Sequence, residues 1–227
     1  MRYTLRCVLL FVIAFAGCRS KKKNIITVPS AAPIDSAQEK AVKSFETNET
    51  FADFATEFLE LKYGIKPDEY LFVSPRKQKM YWIKNNQLVK TFTISTAEKG
   101  IGNEWGSEKT PYGLHKVKMK IGDGVPLYGR FVGRRFTGKI ATIYTDTSRS
   151  PTDDVLTRIL WLEGLEPGVN KGRKVDSFKR HIYIHGTSEE GRLGRPASHG
   201  CIRMKNDEIM ELYDHIKEGT IVYIHHK

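Results

Sequence analysis

From Glu69 onward, short stretches of alternating apolar and polar residues recur between glycine, asparagine and proline turns. The clearest covers 115–121, where His115, Val117, Met119 and Ile121 alternate with Lys116, Lys118 and Lys120. A two-residue repeat sends alternate side chains to opposite faces, so it predicts a half-buried strand with a basic outer face. His115 on the inner side reads as a core histidine. Residues 70–74, 79–83 and 88–95 read as strands, the last two joined by a hairpin turn at Asn85-Asn86. Short strands also fit 139–144, 158–162, 181–185 and 220–224. A helix fits 50–63, with Phe51, Phe54, Ala55, Phe58 and Leu59 at helical spacing, a Thr50/Asp53 capping box, and Gly64 and Pro67 stopping it. Another fits 207–217, capped by Asn206 and closed by Gly219, with Ile209, Leu212, Tyr213 and Ile216 on one face. Many short strands with a single helix among them predict a mainly β domain.

The formal charge of +11, from 37 Lys and Arg against 26 Asp and Glu, favours an anionic partner. The basic residues are scattered over strands and loops, without a basic helix or an RNP-like strand, which argues against nucleic acid. There is no internal repeat, P-loop or dinucleotide fingerprint. Arg2 and Arg6 precede an apolar run over 8–17 that is too short for a membrane span and ends in small residues. That pattern predicts a signal peptide over 1–17, whose removal lowers the charge to +9. Phe15-Ala16-Gly17-Cys18 resembles a bacterial lipoprotein box with phenylalanine in place of the usual leucine, which would make Cys18 the lipidated first residue of the mature chain, the alternatives being ordinary secretion or an uncleaved anchor. Lys21, Lys22 and Lys23 then read either as a solvated tail or as a contact with anionic headgroups. The expected organisation is a tether over 18–49, an N-terminal helical piece over 50–68 and a mainly β domain over 69–227, exported to the periplasm or cell envelope. With Cys7 in the signal and Cys18 lipidated, Cys201 remains as the free thiol and no disulfide can form.

Cys201 lies in Ser198-His199-Gly200-Cys201-Ile202-Arg203-Met204, one loop beyond His185-Gly186-Thr187. A cysteine among small and polar residues with histidines nearby suits a nucleophile: imidazole takes the thiol proton, and backbone N–H groups stabilise an oxyanion. His199, two residues away, and His185, at a strand end, are both candidate bases. The N–H groups of His199, Gly200 and Cys201 are candidate oxyanion donors. The chemistry implied is acyl transfer through a thioester, ending on an amine or on water.

Residues 185–204 resemble the signature of the YkuD family of L,D-transpeptidases, a histidine followed by a distal Ser/Thr-His-Gly-Cys, an apolar residue and Asn or Arg. Residues 77–95 resemble the family's opening hairpin, Thr110-Pro111-Tyr112-Gly113 its Thr-Pro-x-Gly turn, and 158–164 a middle strand. The resemblance covers about residues 69–225. It implies a β-sandwich or barrel with one or two helices, no cofactor and no metal. The implied substrates are peptidoglycan stem peptides, with a wall-attached protein as a further acceptor. Carried over, Cys201 is the nucleophile, His185 the base, and the Gly186 carbonyl the group that orients His185. His199, Gly200 and Ser198 then shape the loop and the oxyanion hole. Arg203 is expected either to meet a substrate carboxylate or to form a surface ion pair, and Trp105 and Tyr112 either to line the donor groove or to pack in the core. Asp146, Asp153 and Asp154 read as loop solvation and capping. Competing readings are a zinc site at His185, His199 and Cys201, a non-catalytic wall binder, and a carboxypeptidase or hydrolase acting on the same bonds.

Overall fold

The computed structural model describes residues 48–226. The expected signal, Cys18 and nearly all of the tether lie outside them. Helix α1 (Asn48–Tyr63) precedes β1 (Glu69–Ser74), β2 (Lys79–Lys84), β3 (Gln87–Ser95), β4 (Gly113–Ile121), β5 (Gly129–Val132), β6 (Arg135–Ile140), β7 (Val155–Gly164), β8 (Tyr183–Gly186) and β9 (Ile202–Met204). Helix α2 (Asn206–His215) and strand β10 (Ile221–Ile224) complete the chain. Strands run β4-β10-β1-β2-β3-β9-β8-β7, and β7 pairs back to β4, which closes an eight-stranded barrel. β5 and β6 extend the sheet from β7. Closure leaves those eight strands without a free edge.

The two-residue alternation sorts side chains between the barrel interior and its outer faces. Leu71, Val73, Met80, Phe92, Ile94, Val117, Leu160 and Leu162 meet inside, joined by Ile209 and Leu212 of α2 and by Ile216 just beyond it. Helix α1 covers an outer face, burying Ala52, Ala55, Leu59 and Tyr63 against Tyr70, Phe72, Ile83 and Tyr223. Its aromatic stripe is therefore packing. Gly64 ends the helix in the left-handed region at φ 65°, with its N–H on the Glu60 carbonyl. Asn85 and Asn86 both have positive φ, 50° and 59°, as a two-residue hairpin turn requires. His115 is fully buried, its ring nitrogens within hydrogen-bond distance of the Gly113 carbonyl (3.0 Å) and the Ser177 hydroxyl (2.9 Å).

Some local expectations need correction. Helix α1 already includes Asn48, so Thr50 lies within it, and Asp53 accepts from the Asn86 side chain. Lys205 precedes the first turn of α2, and the Asn206 side chain is used elsewhere. The strand expected at 139–144 occupies Arg135–Ile140 and is exposed throughout. On the basic face of β4, Lys116 and Lys118 pair with Glu163 at 3.1 and 3.7 Å.

Candidate active site

Strands β8 and β9 run parallel, with Ile184 opposite Ile202 and His185 opposite Arg203. Ile184, Ile202 and Met204 point into the barrel core, so the alternate residues Tyr183, His185, Cys201 and Arg203 belong to the other face. This register brings His185 and the nucleophile segment together from positions sixteen residues apart in sequence. Cys201 itself packs against Phe131, Ile159, Trp161 and Tyr183.

Cys201 Sγ accepts from the Tyr183 N–H at 3.4 Å and donates to the His181 carbonyl at 3.4 Å. His185 is buried, and its Nδ1 lies 2.6 Å from the Gly186 carbonyl. A carbonyl only accepts, so Nδ1 carries the hydrogen and Nε2 is the basic nitrogen. Burial lowers the His185 pKa to about 4, against the opposing pull of Asp153 and the Gly186 hydrogen bond. Desolvation likewise pushes the Cys201 thiol up to about 12, although Tyr183, Arg203 and Arg180 favour the thiolate. The resting pair is a neutral imidazole and a neutral thiol, in place of the thiolate that a nearby imidazole would favour.

The intervening loop is held in detail. Ser198 Oγ donates to the Cys201 carbonyl at 2.6 Å and accepts from the Gly200 N–H at 3.2 Å. The Gly200 N–H is therefore already engaged, which leaves those of His199 and Cys201 as the better oxyanion donors. Gly200 has φ 130°, a conformation that L side chains rarely adopt. At Gly186 the need is space, since a Cβ there would collide with the Asn206 side-chain oxygen. Asn206 is fully buried; its Nδ2 donates to the Thr187 carbonyl and to Glu190 Oε1, both at 2.7 Å, and its Oδ1 accepts from Thr157 at 2.7 Å. It ties the end of β8 to α2 and β7.

Arg203 departs from both of its expected roles. It is only 2% exposed and donates to Asp153 at 2.6 Å and to Glu189 at 2.8 Å. Neither a substrate carboxylate nor a surface ion pair fits so enclosed a guanidinium. Glu189 also accepts from Arg192 at 3.2 Å and from the Ser150 N–H at 2.8 Å. Asp153 is an exposed loop residue, as expected, but it also joins the site, since its second oxygen lies 2.7 Å from His199 Nδ1. Burial alone would raise its pKa, but Arg203, His185 and His199 together hold the carboxyl below the usual range. Asp154 instead pairs with Arg130 at 2.7 Å, and Asp146 Oδ1 accepts from the Ser148 N–H.

Trp105 and Tyr112 are 57% and 37% exposed, so neither is a core residue. The Trp105 N–H reaches the Lys174 carbonyl, and the Tyr112 ring lies 6.1 Å from that of His226. The loop that carries Trp105 is latched by Arg180, which donates to the Gly102 and Lys109 carbonyls at 3.1 and 2.6 Å. Arg180 also interacts electrostatically with Cys201. Sequence reasoning did not single out Arg180, Glu189 or Asn206 for the site; each acts through a contact distant in sequence. Among the described residues, no three His, Cys, Asp or Glu side chains come together to hold a metal ion, so the zinc reading finds no support.

Fold and site together define an eight-stranded barrel with a cysteine–histidine pair on one face of adjacent parallel strands. The chain belongs to the YkuD family: residues 68–224 match its model, described as the L,D-transpeptidase catalytic domain. Among relatives, "Putative L,D-transpeptidase YqjB" of Bacillus subtilis (strain 168) is 28% identical over 158 residues, 69% of this chain and 71% of that protein. The L,D-transpeptidase (residues 123–326) from Xylanimonas cellulosilytica DSM 15894 is 17% identical, with a TM-score of 0.45 over 83% of this chain and 77% of that one. An L,D-transpeptidase from Mycobacterium smegmatis is 13% identical with a TM-score of 0.44, over 70% of this chain and 58% of that one. This chain thus spans less than two thirds of the mycobacterial protein.

Proposed function

We propose that this protein is an exported peptidoglycan L,D-transpeptidase that works through an acyl-cysteine at Cys201. One observation carries the reading: parallel β8 and β9 place Cys201, which accepts from the Tyr183 N–H, on the same face as His185, whose Nδ1 is occupied by the Gly186 carbonyl. His185 Nε2 takes the thiol proton as Sγ attacks the carbonyl at the L-centre of a stem peptide. Because thiol and imidazole are both neutral at rest, the proton moves as the C–S bond forms. The N–H groups of His199 and Cys201 are the donors for the oxyanion. Collapse breaks the amide bond, His185 returns the proton to the leaving D-amino acid, and a thioester remains. An amine then attacks the thioester, giving a 3→3 crosslink or attaching a protein to the wall, and its proton returns to Sγ through His185. The signal-like segment 1–17 and the box ending at Cys18 support export and lipid anchoring to a membrane of the cell envelope.

Incubation with a defined disaccharide-tetrapeptide, followed by mass spectrometry of the products, tests this reading. A new 3→3-linked dimer, absent with Cys201→Ala, is expected. Loss of the terminal D-amino acid alone would reassign the protein as an L,D-carboxypeptidase. Turnover surviving Cys201→Ala would overturn the nucleophile.

A further inference from the structure

The transfer step leaves one proton without a named acceptor. An aliphatic amine, with a pKa near the 10.4 of lysine, arrives as an ammonium at neutral pH. Forming an amide from it releases two protons from nitrogen. One returns to Cys201 Sγ through His185 as the C–S bond breaks. The other has to leave before the nitrogen lone pair can attack, and His185 is too enclosed, at 1% exposure, to meet solvent.

His199 fits that task. It stands two residues from the nucleophile, and its side chain is 62% exposed. Asp153 Oδ2 occupies its Nδ1 at 2.7 Å. A carboxylate only accepts, so Nδ1 holds the hydrogen and Nε2 is left as a base. Arg203 fixes the other Asp153 oxygen at 2.6 Å and is itself held by Glu189, so the carboxylate is anchored from the protein side. The charged groups around the imidazole are Asp153 and the carboxylates Glu98 and Glu108, which carry their own partners Arg149 and Lys99. Each of these carboxylates is thus balanced by a cation of its own, and Asp153 is the one that bonds the imidazole directly.

Building on the transpeptidase reading, we infer that His199, backed by Asp153, is the base that deprotonates the incoming acceptor ammonium. The two histidines then divide the protons: His185 serves the thiol and the bond being made or broken, and His199 passes the acceptor's first proton to solvent.

The test compares two amines that differ in charge. Wild-type and His199→Gln enzymes are given a tetrapeptide donor and either the side-chain amine of a diamino acid, charged at neutral pH, or methoxyamine, uncharged there. The thioester's partition between the amine and water is measured. His199→Gln should lower transfer to the charged amine about 10-fold or more relative to methoxyamine, within the range of a general base. Asp153→Asn should show the same selective loss and Asp153→Glu should recover part of it, with melting temperatures recorded to separate misfolding from the effect. Equal losses with both amines would overturn the inference and make His199 a structural residue. If the wild-type enzyme forms no thioester on Cys201, the transpeptidase reading itself fails and the inference falls with it.

Discussion

Two buried histidines, His115 on β4 and His185 on β8, share nearly the same electrostatics and serve different ends. Each has Nδ1 on a backbone carbonyl, and desolvation lowers the pKa of each to about 4. They differ at the second nitrogen. His115 Nε2 meets Ser177 Oγ at 2.9 Å, whereas His185 Nε2 has no hydrogen-bond partner among the described residues. A perturbed pKa therefore does not mark the reactive histidine in this protein. On the proposed mechanism, His185 is set apart by an Nε2 without a hydrogen-bond partner on the face that also carries Cys201.

The largest expected effect tests that contrast directly. His185→Gln should lower the turnover rate about 10²- to 10⁴-fold, the usual contribution of a general base, with little change in KM. His115→Gln should retain turnover per folded molecule and instead lower stability by about 1–3 kcal/mol, read from urea unfolding, because Ser177 loses its partner. A swap of these outcomes would reverse the assignment.

Acid should then expose what the two sites share. Each histidine is neutral in the fold down to about pH 4 but takes a proton near its ordinary pKa of 6.5 once unfolded. Between those values the unfolded chain binds more protons, so stability falls as pH drops from about 6.5 to about 4. The loss approaches roughly 3 kcal/mol per histidine and is complete below pH 4. His115→Gln should remove about half of this histidine contribution in a series of urea midpoints. Asp153, held below 3.8, loses its contribution only at still lower pH, so the two windows separate. Acylation of Cys201, measured without an acceptor amine, should keep its acid limb near pH 4, the pKa of His185, and not near 6.5.

The smallest effect concerns how the reactive region is held. Asn206→Ala removes the bonds to Thr187, Glu190 and Thr157, and should cost about 1–3 kcal/mol of stability. Turnover should fall further than stability alone explains, because Asn206 sits against Gly186, whose carbonyl holds His185. Unchanged kcat with a lowered unfolding midpoint would limit Asn206 to the fold.

What could be read in the sequence follows from which forces are local. The alternation along the first half of β4, the paired asparagines between β2 and β3, and the apolar face of α2 each report a neighbour two to four residues away. Past the register shift between Val117 and Met119 the β4 pattern fails, and Met119 is 40% exposed. The nucleophile segment was legible because its residue types sit side by side. Strand β6 lies four residues before the stretch 139–144 that its sequence suggests, because all six of its residues are exposed and no apolar alternation marks it. Strand β9 is three residues long and lies inside the reactive segment. Asp153 and Arg203 meet across fifty positions, as do Arg180 and the Lys109 carbonyl across seventy-one. No local pattern announces such pairs, so Arg203 looked available to a substrate when it was already bound within the protein.

The most direct measurement of the central claim is the intact mass of the enzyme mixed with a tetrapeptide donor in the absence of any acceptor amine. A transient mass increase equal to the stem tripeptide acyl group, mapped to Cys201 and formed at least 100-fold more slowly by His185→Gln, is the predicted result. An adduct mapped to another residue, or formed equally fast without His185, would contradict it.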